Sequence, residues 1–186
     1  MTVDGNETEI KLRISDPVAT QAKLEQVGFK VSRERVFEAN TVYDTPEGIL
    51  RQHGTLLRLR EAGGQAILTF KGPATPGKHK IREELETTVG DASTSAAIID
   101  RLGFVPSFRY EKYRTEYERP GGPGVVTIDE TPIGWFLELE GSPDWIDGTA
   151  RQLGFTEEDY VILSYATLYS NYCSERRTAP KHMLFQ

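Results

Sequence analysis

The stretch ETEIKLRI, residues 7–14, places a charged side chain at every second position. A period of two is typical of a β-strand, because successive side chains point to opposite faces. One face of this strand is therefore apolar, and the other carries two carboxylates and two cations: Glu7, Glu9, Lys11 and Arg13. Such a face either meets solvent or lines an interior that binds something charged.

The same alternation recurs along most of the chain. It predicts nine strands, at residues 7–14, 30–38, 41–44, 55–61, 65–71, 80–88, 108–119, 124–130 and 134–140. Four helices are predicted between and after them, at residues 17–27, 93–102, 143–153 and 165–173. Three of these helices end in LEQVGF, IDRLGF and ARQLGF, where the glycine fits a left-handed C-cap. Many antiparallel strands with few helices favour an α+β fold that is mainly antiparallel β, built as a closed or nearly closed barrel.

At least seven of the predicted strands have one charged and one apolar face. The charged faces together carry eight cations (Lys11, Arg13, Arg58, Arg60, Lys71, Arg82, Lys112 and Arg114) and eight carboxylates (Glu7, Glu9, Glu84, Glu86, Glu116, Asp129, Glu138 and Glu140). For any single strand, a solvated face is the better interpretation. For the whole set, like charges recur side by side, as in Arg58 and Arg60, and such pairs raise the energy of a protein without a ligand. A ligand that carries charges of both signs would relieve this repulsion.

The charged residues also indicate which ligand would fit inside a barrel. Burying so many ions in a dry interior would cost several kcal/mol for each ion, so the interior is predicted to be a wet tunnel. Arginine and lysine favour phosphate oxygens. Clustered carboxylates favour hard divalent cations such as Mg²⁺ or Mn²⁺. A polyphosphate that carries metal ions meets both requirements.

Composition limits the remaining classes of function. The chain has 186 residues, 38% hydrophobic content and a net charge of −6, which fits one large domain and disfavours nucleic acid or an anionic membrane as the main partner. No apolar run approaches the roughly 20 residues of a membrane span. The first residues, MTVDGNETE, do not form a signal peptide, and the single Cys173 fits a cytoplasmic protein. A homodimer is compatible with the sequence but is not indicated by it.

An ordered set of motifs resembles the CYTH family, also called triphosphate tunnel metalloenzymes. The motifs are E-x-E-x-K at 7–11, Tyr43-Asp44-Thr45, L-R-L-R at 57–60, T-F-K-G at 69–72, R-x-E-x-E at 82–86, K-x-R at 112–114, Asp129, E-x-E at 138–140 and Ser164-Tyr165. The resemblance implies an eight-stranded antiparallel barrel that is open at both ends and flanked by helices. We expect one such domain over residues 1–174 and a loosely held tail over 175–186.

The resemblance also implies roles for individual residues. Glu7, Glu9, Asp129, Glu138 and Glu140 would hold Mg²⁺ or Mn²⁺. The triphosphate would be bound by Lys11, Arg58, Arg60, Lys71, Arg82, Lys112 and Arg114, and Glu84 and Glu86 would form the tunnel wall. Lys11 and Glu9 are the expected catalytic pair. Because Lys11 lies among several cations, its pKa is expected to be lowered, so that it either activates water or serves as a plain phosphate ligand.

Two reactions fit the same tunnel. A cyclase would use the ribose 3′-hydroxyl of ATP to attack the α-phosphorus, whereas a triphosphatase would use water to attack a terminal phosphorus. The segments F-K-G-P at 70–73 and K-Y-R at 112–114 most resemble class IV adenylate cyclases, which makes ATP cyclisation the first expectation and hydrolysis of tripolyphosphate, nucleoside triphosphate or thiamine triphosphate the alternative. Residues 161–163, Val-Ile-Leu, lack the basic residue that many members carry there, which weakens the assignment of thiamine triphosphate.

Two further alternatives belong to other classes of protein. A non-catalytic polyphosphate-binding module would keep the cations but would tolerate loss of the carboxylates. A lipocalin-like carrier would line its interior with apolar side chains and would place the charges outside.

Overall fold

Eight strands close into one antiparallel barrel in the computed structural model, which describes residues 5–186, and their order is β1-β5-β4-β3-β2-β6-β7-β8. The strands are β1 (Asn6–Ile14), β2 (Lys30–Asp44), β3 (Leu56–Ala62), β4 (Gln65–Lys71), β5 (Lys80–Val89), β6 (Val105–Glu118), β7 (Val125–Thr131) and β8 (Gly134–Glu140). The helices are α1 (Pro17–Gln26), α2 (Ile49–Gln52), α3 (Ala92–Arg101), α4 (Pro143–Gln152) and α5 (Tyr165–Glu175), with a 3₁₀ turn at Glu157–Asp159. The predicted fold class is confirmed.

Two of the predicted strands are parts of one longer strand. Residues 30–38 and 41–44 belong to the 15-residue β2, whose pairing with β6 shifts register at three places. Ala39 and Asn40 are poor β-formers and interrupt the sequence pattern, but pairing on both sides holds them in the strand. The four-residue α2 was not predicted, because it is too short to show helical periodicity.

The predicted helix endings are confirmed. Gly28, Gly103 and Gly154 have φ angles of 92°, 92° and 85°, which an L-side chain rarely adopts. In the first of these turns, the backbone N–H of Phe29 donates to the carbonyl of Leu24 at 2.9 Å, as in a Schellman motif. The other two turns make the equivalent bond, from Phe104 to Ile99 at 3.2 Å and from Phe155 to Ala150 at 3.0 Å.

The apolar faces of the strands point outward, against the helices. Ile10 and Leu12 of β1 and Leu137 of β8 are fully buried in a cluster with Leu24 of α1 and Ile146 of α4. Trp135 of β8 also packs against this cluster. Because the side chains of a strand alternate, the charged faces must point into the barrel. This arrangement excludes the lipocalin-like alternative, which needs the opposite orientation.

The C-terminal segment is docked on the barrel, so the prediction of a loosely held tail is wrong. Met183 is fully buried, and it exchanges backbone hydrogen bonds of 2.9 Å with Glu111 and Arg109 of β6. Strand β6 begins at Val105 but pairs with β7 only from Tyr113, which leaves an edge for this segment to occupy. No helix within residues 5–186 is long and apolar enough to span a membrane.

Replacing Gly124 with alanine should destabilise the protein. A Cβ atom at Gly124 would lie 2.6 Å from the Trp145 ring and 2.7 Å from the carbonyl oxygen of Glu140. We expect a loss of about 1–3 kcal/mol in the free energy of unfolding, measured with urea. The matched control is Gly148→Ala inside α4, where nothing lies within 4 Å of the added methyl group. That change should stabilise the protein by about 1 kcal/mol, and equal stability of the two variants would contradict the packing argument.

Candidate active site

The barrel encloses a cavity of about 1310 Å³ that is lined by residues from all eight strands. Fourteen of the sixteen charged residues predicted to face the interior line it: Glu7, Glu9, Lys11, Arg58, Arg60, Lys71, Arg82, Glu84, Glu86, Lys112, Arg114, Glu116, Glu138 and Glu140. They are brought together by strand register, which pairs Lys11 with Glu138, Glu7 with Arg82 and Lys71 with Glu84. Cross-strand partners share a face, so opposite charges become neighbours.

Two predicted interior residues do not line the cavity. Arg13 is exposed, and its guanidinium lies 4.9 Å from the centre of the Phe136 ring. This position is explained by the composition of the interior, which is charged over only part of its length. At the level of Arg13, the partner residue on β8 is the apolar Phe136, which packs with Tyr165 and Met183. Asp129, the second exception, is fully buried.

Cross-strand ion pairs compensate many of the charged side chains in the interior. The Lys71 ammonium lies 2.7 Å from Glu7 and 3.1 Å from Glu84, and the Lys80 ammonium lies 2.8 Å from Glu9. Neighbouring like charges along one strand are thus compensated by opposite charges on the next strand. Much of the repulsion expected from the sequence is thus already relieved by these pairs, which a charged ligand could exchange for its own contacts.

Asp129 anchors two of the predicted phosphate-binding cations. Its carboxylate accepts hydrogen bonds of 2.7 Å from Lys112, from the Tyr165 hydroxyl and, through two nitrogens, from Arg114. Three of these bonds reach Oδ2 and one reaches Oδ1, so Oδ1 keeps a free lone-pair site. Asp129 therefore holds Lys112 and Arg114, which both line the cavity, and its role as a metal ligand stays a prediction.

Glu140 has the opposite environment. Among residues 5–186 its carboxylate makes no hydrogen bond and no ion pair within 4.0 Å, and it is open to the cavity. Even so, the surrounding protein and the negative charges of Glu7 and Glu84 raise the pKa of Glu140 to about 7. Burial and the charge of Glu9 also raise the pKa of Glu7. This end of the cavity therefore has an excess of negative charge that a cation would stabilise.

The predicted acidic set is not assembled as a metal cage. Within residues 5–186, no three acidic, histidine or cysteine side chains are grouped closely enough to hold a metal ion. The reason is that Lys11 lies between Glu9 and Glu138, at 3.1 and 3.3 Å. The chemistry of the donors still suits Mg²⁺ or Mn²⁺, since Glu7, Glu9, Glu138 and Glu140 supply hard oxygens on two adjacent strands.

The pKa of Lys11 is raised, so the prediction that neighbouring cations lower it is wrong. Burial favours the neutral amine, but the negative charges of Glu138 and Glu9 outweigh that effect. The same neighbours make Lys11 a poor base in this state of the protein. Its role as a phosphate ligand, and the catalytic role of Lys11 and Glu9, stay predictions.

Three interior residues were missed from the sequence. Lys80 shares the face of Arg82, so the alternation of that strand could have revealed it. Tyr110 accepts a hydrogen bond from Arg58 at 3.2 Å and shares the face of Lys112. Glu38 is fully buried beside the cations, but the break predicted after residue 38 hid its parity.

Glu38 should contribute stability that depends on pH. Burial opposes its ionisation, but Lys112, Arg114, Arg60 and Arg58 outweigh this and lower the pKa of Glu38 to about 2, from 4.5. A depressed pKa adds stability above pH 4.5 that is lost as the pH falls toward 2. We expect Glu38→Gln to be less stable than the wild type at pH 7, with the gap narrowing by about 2 kcal/mol at pH 3. Urea unfolding at both pH values measures this, and a constant gap would contradict it.

The sequence model of the CYTH domain matches residues 5–161. The chain belongs to the CYTH domain family. A candidate adenylate cyclase of Methanocaldococcus jannaschii is 32% identical over 138 residues, which cover 73% of this chain and 77% of the relative.

Two solved structures share the fold of this CYTH protein. A candidate adenylate cyclase of Vibrio parahaemolyticus superposes with a TM-score of 0.79 at 23% identity, covering 88% of this chain and 97% of that one. A Hippeastrum protein, described as a candidate adenylyl cyclase with a dominant triphosphatase activity, gives a TM-score of 0.63 at 18% identity, covering 93% and 97%. At these identities the structural likeness shows the fold alone.

Proposed function

We propose that this CYTH protein is a divalent-metal-dependent enzyme that acts on triphosphates, with conversion of ATP to cyclic AMP and pyrophosphate as its first candidate reaction. The observation that carries the proposal is the separation of charge inside one cavity. Glu140 and Glu7 lie in an excess of negative charge, whereas Lys112 and Arg114 are fixed by Asp129 as a cationic group. A polyphosphate with a bound cation matches both groups at once.

The chain's own residues would act through exchange of ion pairs. Phosphate oxygens would accept hydrogen bonds from Lys112 and Arg114, which Asp129 already orients. Arg58 and Arg60 of β3, which also line the cavity, would bind them as well. Glu7, Glu9, Glu138 and Glu140 would hold Mg²⁺ or Mn²⁺. A bound metal neutralises charge on phosphate oxygens and so favours displacement at phosphorus. The cations would stabilise the leaving pyrophosphate.

Hydrolysis of a triphosphate is the second candidate function. It is favoured by the Hippeastrum neighbour, whose dominant activity is described as that of a triphosphatase. Thiamine triphosphate is the weakest substrate candidate, because residues 161–163 bring no cation and Val161 is held by two 2.9 Å backbone hydrogen bonds to Lys11. A cytoplasmic location and a homodimer stay predictions.

The test is a product assay on the purified chain with Mg²⁺ or Mn²⁺. ATP and tripolyphosphate are the primary substrates, and GTP and thiamine triphosphate complete the set. Cyclic AMP supports the cyclase, and orthophosphate supports the triphosphatase. Binding of tripolyphosphate without turnover would indicate a non-catalytic module, whereas neither binding nor product with any triphosphate would reject the proposal.

A further inference from the structure

Glu38 is a buried carboxylate that no predicted role accounts for. It lies on β2 with no exposed surface, and it is not among the residues that line the cavity. Its two oxygens lie 3.7 Å from Arg60 and 3.7 Å from Lys112, and neither oxygen has a hydrogen-bond partner within residues 5–186. It thus differs from Asp129, which accepts direct hydrogen bonds from Lys112 and Arg114.

The position of Glu38 places a negative charge behind the cations that face the cavity. Arg60 and Lys112 both line the cavity, so they stand between this carboxylate and any bound phosphate. A phosphate would draw the two cations forward, whereas the backbone of Glu38 is fixed by the pairing of β2 with β3 and β6, and Glu38 does not line the cavity. Its charge would then be less compensated and would repel the polyphosphate through a poorly screened interior.

We propose that Glu38 is a positioning residue that holds Arg60 and Lys112 at the tunnel wall and limits how tightly the tunnel retains a polyphosphate. This inference rests on the proposed function, since it concerns the same cavity. Its consequence is faster release of the pyrophosphate or phosphate product. Each cation also has a closer partner, since Lys112 lies 2.7 Å from Asp129 and Arg60 lies 3.2 Å from Glu86, and Glu38 is the carboxylate that the two cations share.

The experiment is isothermal titration of sodium tripolyphosphate and sodium pyrophosphate into the full chain, with EDTA and again with Mg²⁺. We expect Glu38→Gln to bind both anions roughly tenfold more tightly than the wild type, because the variant lacks the negative charge behind the cations that repels the anion. The matched control is Glu61→Gln, which removes the same charge from an exposed position on β3. It should bind as the wild type does. In turnover, Glu38→Gln should lower KM and strengthen product inhibition, whereas a merely structural role would raise KM.

Glu38→Asp decides the question if the glutamine variant does not fold. Aspartate keeps the negative charge but, because its side chain is shorter by one methylene group, holds it farther from the cations. Anion binding should therefore tighten by a smaller factor than in Glu38→Gln. Unchanged or weaker binding by a folded variant, with wild-type binding intact, overturns the role of Glu38 and leaves the proposed function standing. Absence of polyphosphate binding by the wild type overturns the proposed function, and the role of Glu38 with it.

Discussion

We expect Glu140→Gln to abolish metal-dependent turnover while leaving the fold as stable as the wild type or slightly more stable. The carboxylate of Glu140 has no hydrogen bond or ion pair within the described residues, so the substitution breaks no contact. Its pKa is raised from 4.5 to about 7, so ionisation of Glu140 costs stability progressively between these pH values and fully above pH 7, and glutamine removes this cost. Loss of a metal-binding oxygen should reduce turnover by more than roughly 100-fold, because even outer-shell changes at metal sites cost 10–100-fold.

Initial rates against Mn²⁺ concentration and the Tm measure the two effects separately. The matched control is Glu118→Gln, which removes one charge from an exposed position at the end of β6. It should change neither the initial rate nor the Tm. Glu138→Gln should lower both turnover and stability, because Glu138 also pairs with Lys11 and Arg114. The double variant Glu138→Ala/Glu140→Ala should be inactive and folded. Full activity in Glu140→Gln would reject the assignment of the metal to this end of the cavity.

The direction of the charged faces followed from the sequence because it depends only on alternation. Ile10 and Leu12 pack against the helices on the outside of the barrel. Because side chains alternate along a strand, Glu9 and Lys11 must point into the cavity. Each strand repeats this constraint, which is why the interior of the barrel was predictable strand by strand. Arg13 obeys the alternation but lies beyond the charged part of the interior, a boundary that alternation does not encode.

The partners of the charged residues were not predictable in the same way. Lys11 lies between Glu9 of its own strand and Glu138 of β8, and the second neighbour depends on the register of two strands far apart in sequence. That neighbour reverses the expected shift in the pKa of Lys11. The docking of Met183 likewise depends on β6 extending past the end of β7, and no local pattern near residue 183 announces it.

Asp129→Asn is expected to cause the largest loss of stability among single substitutions in the cavity wall. The carboxylate is fully buried and compensates two cations, Lys112 and Arg114, which would be left without their closest counter-ion. Removing one partner of a buried ion pair costs about 3–5 kcal/mol. Polyphosphate binding should weaken as well, because the cations lose the group that orients them toward the cavity.

Urea unfolding and titration with tripolyphosphate in EDTA test this expectation without any metal. The matched control is Tyr165→Phe, which removes one of the four hydrogen bonds to Asp129 but no charge, and should cost about 1 kcal/mol. Excess tripolyphosphate should restore part of the stability of Asp129→Asn, since the anion can take the place of the missing carboxylate between the cations. If Asp129→Asn instead kept its stability and its metal-free polyphosphate binding and lost only its response to Mn²⁺, the carboxylate would be a metal ligand after all. The cations would then be held in place by their packing and by Glu138 and Glu38 alone.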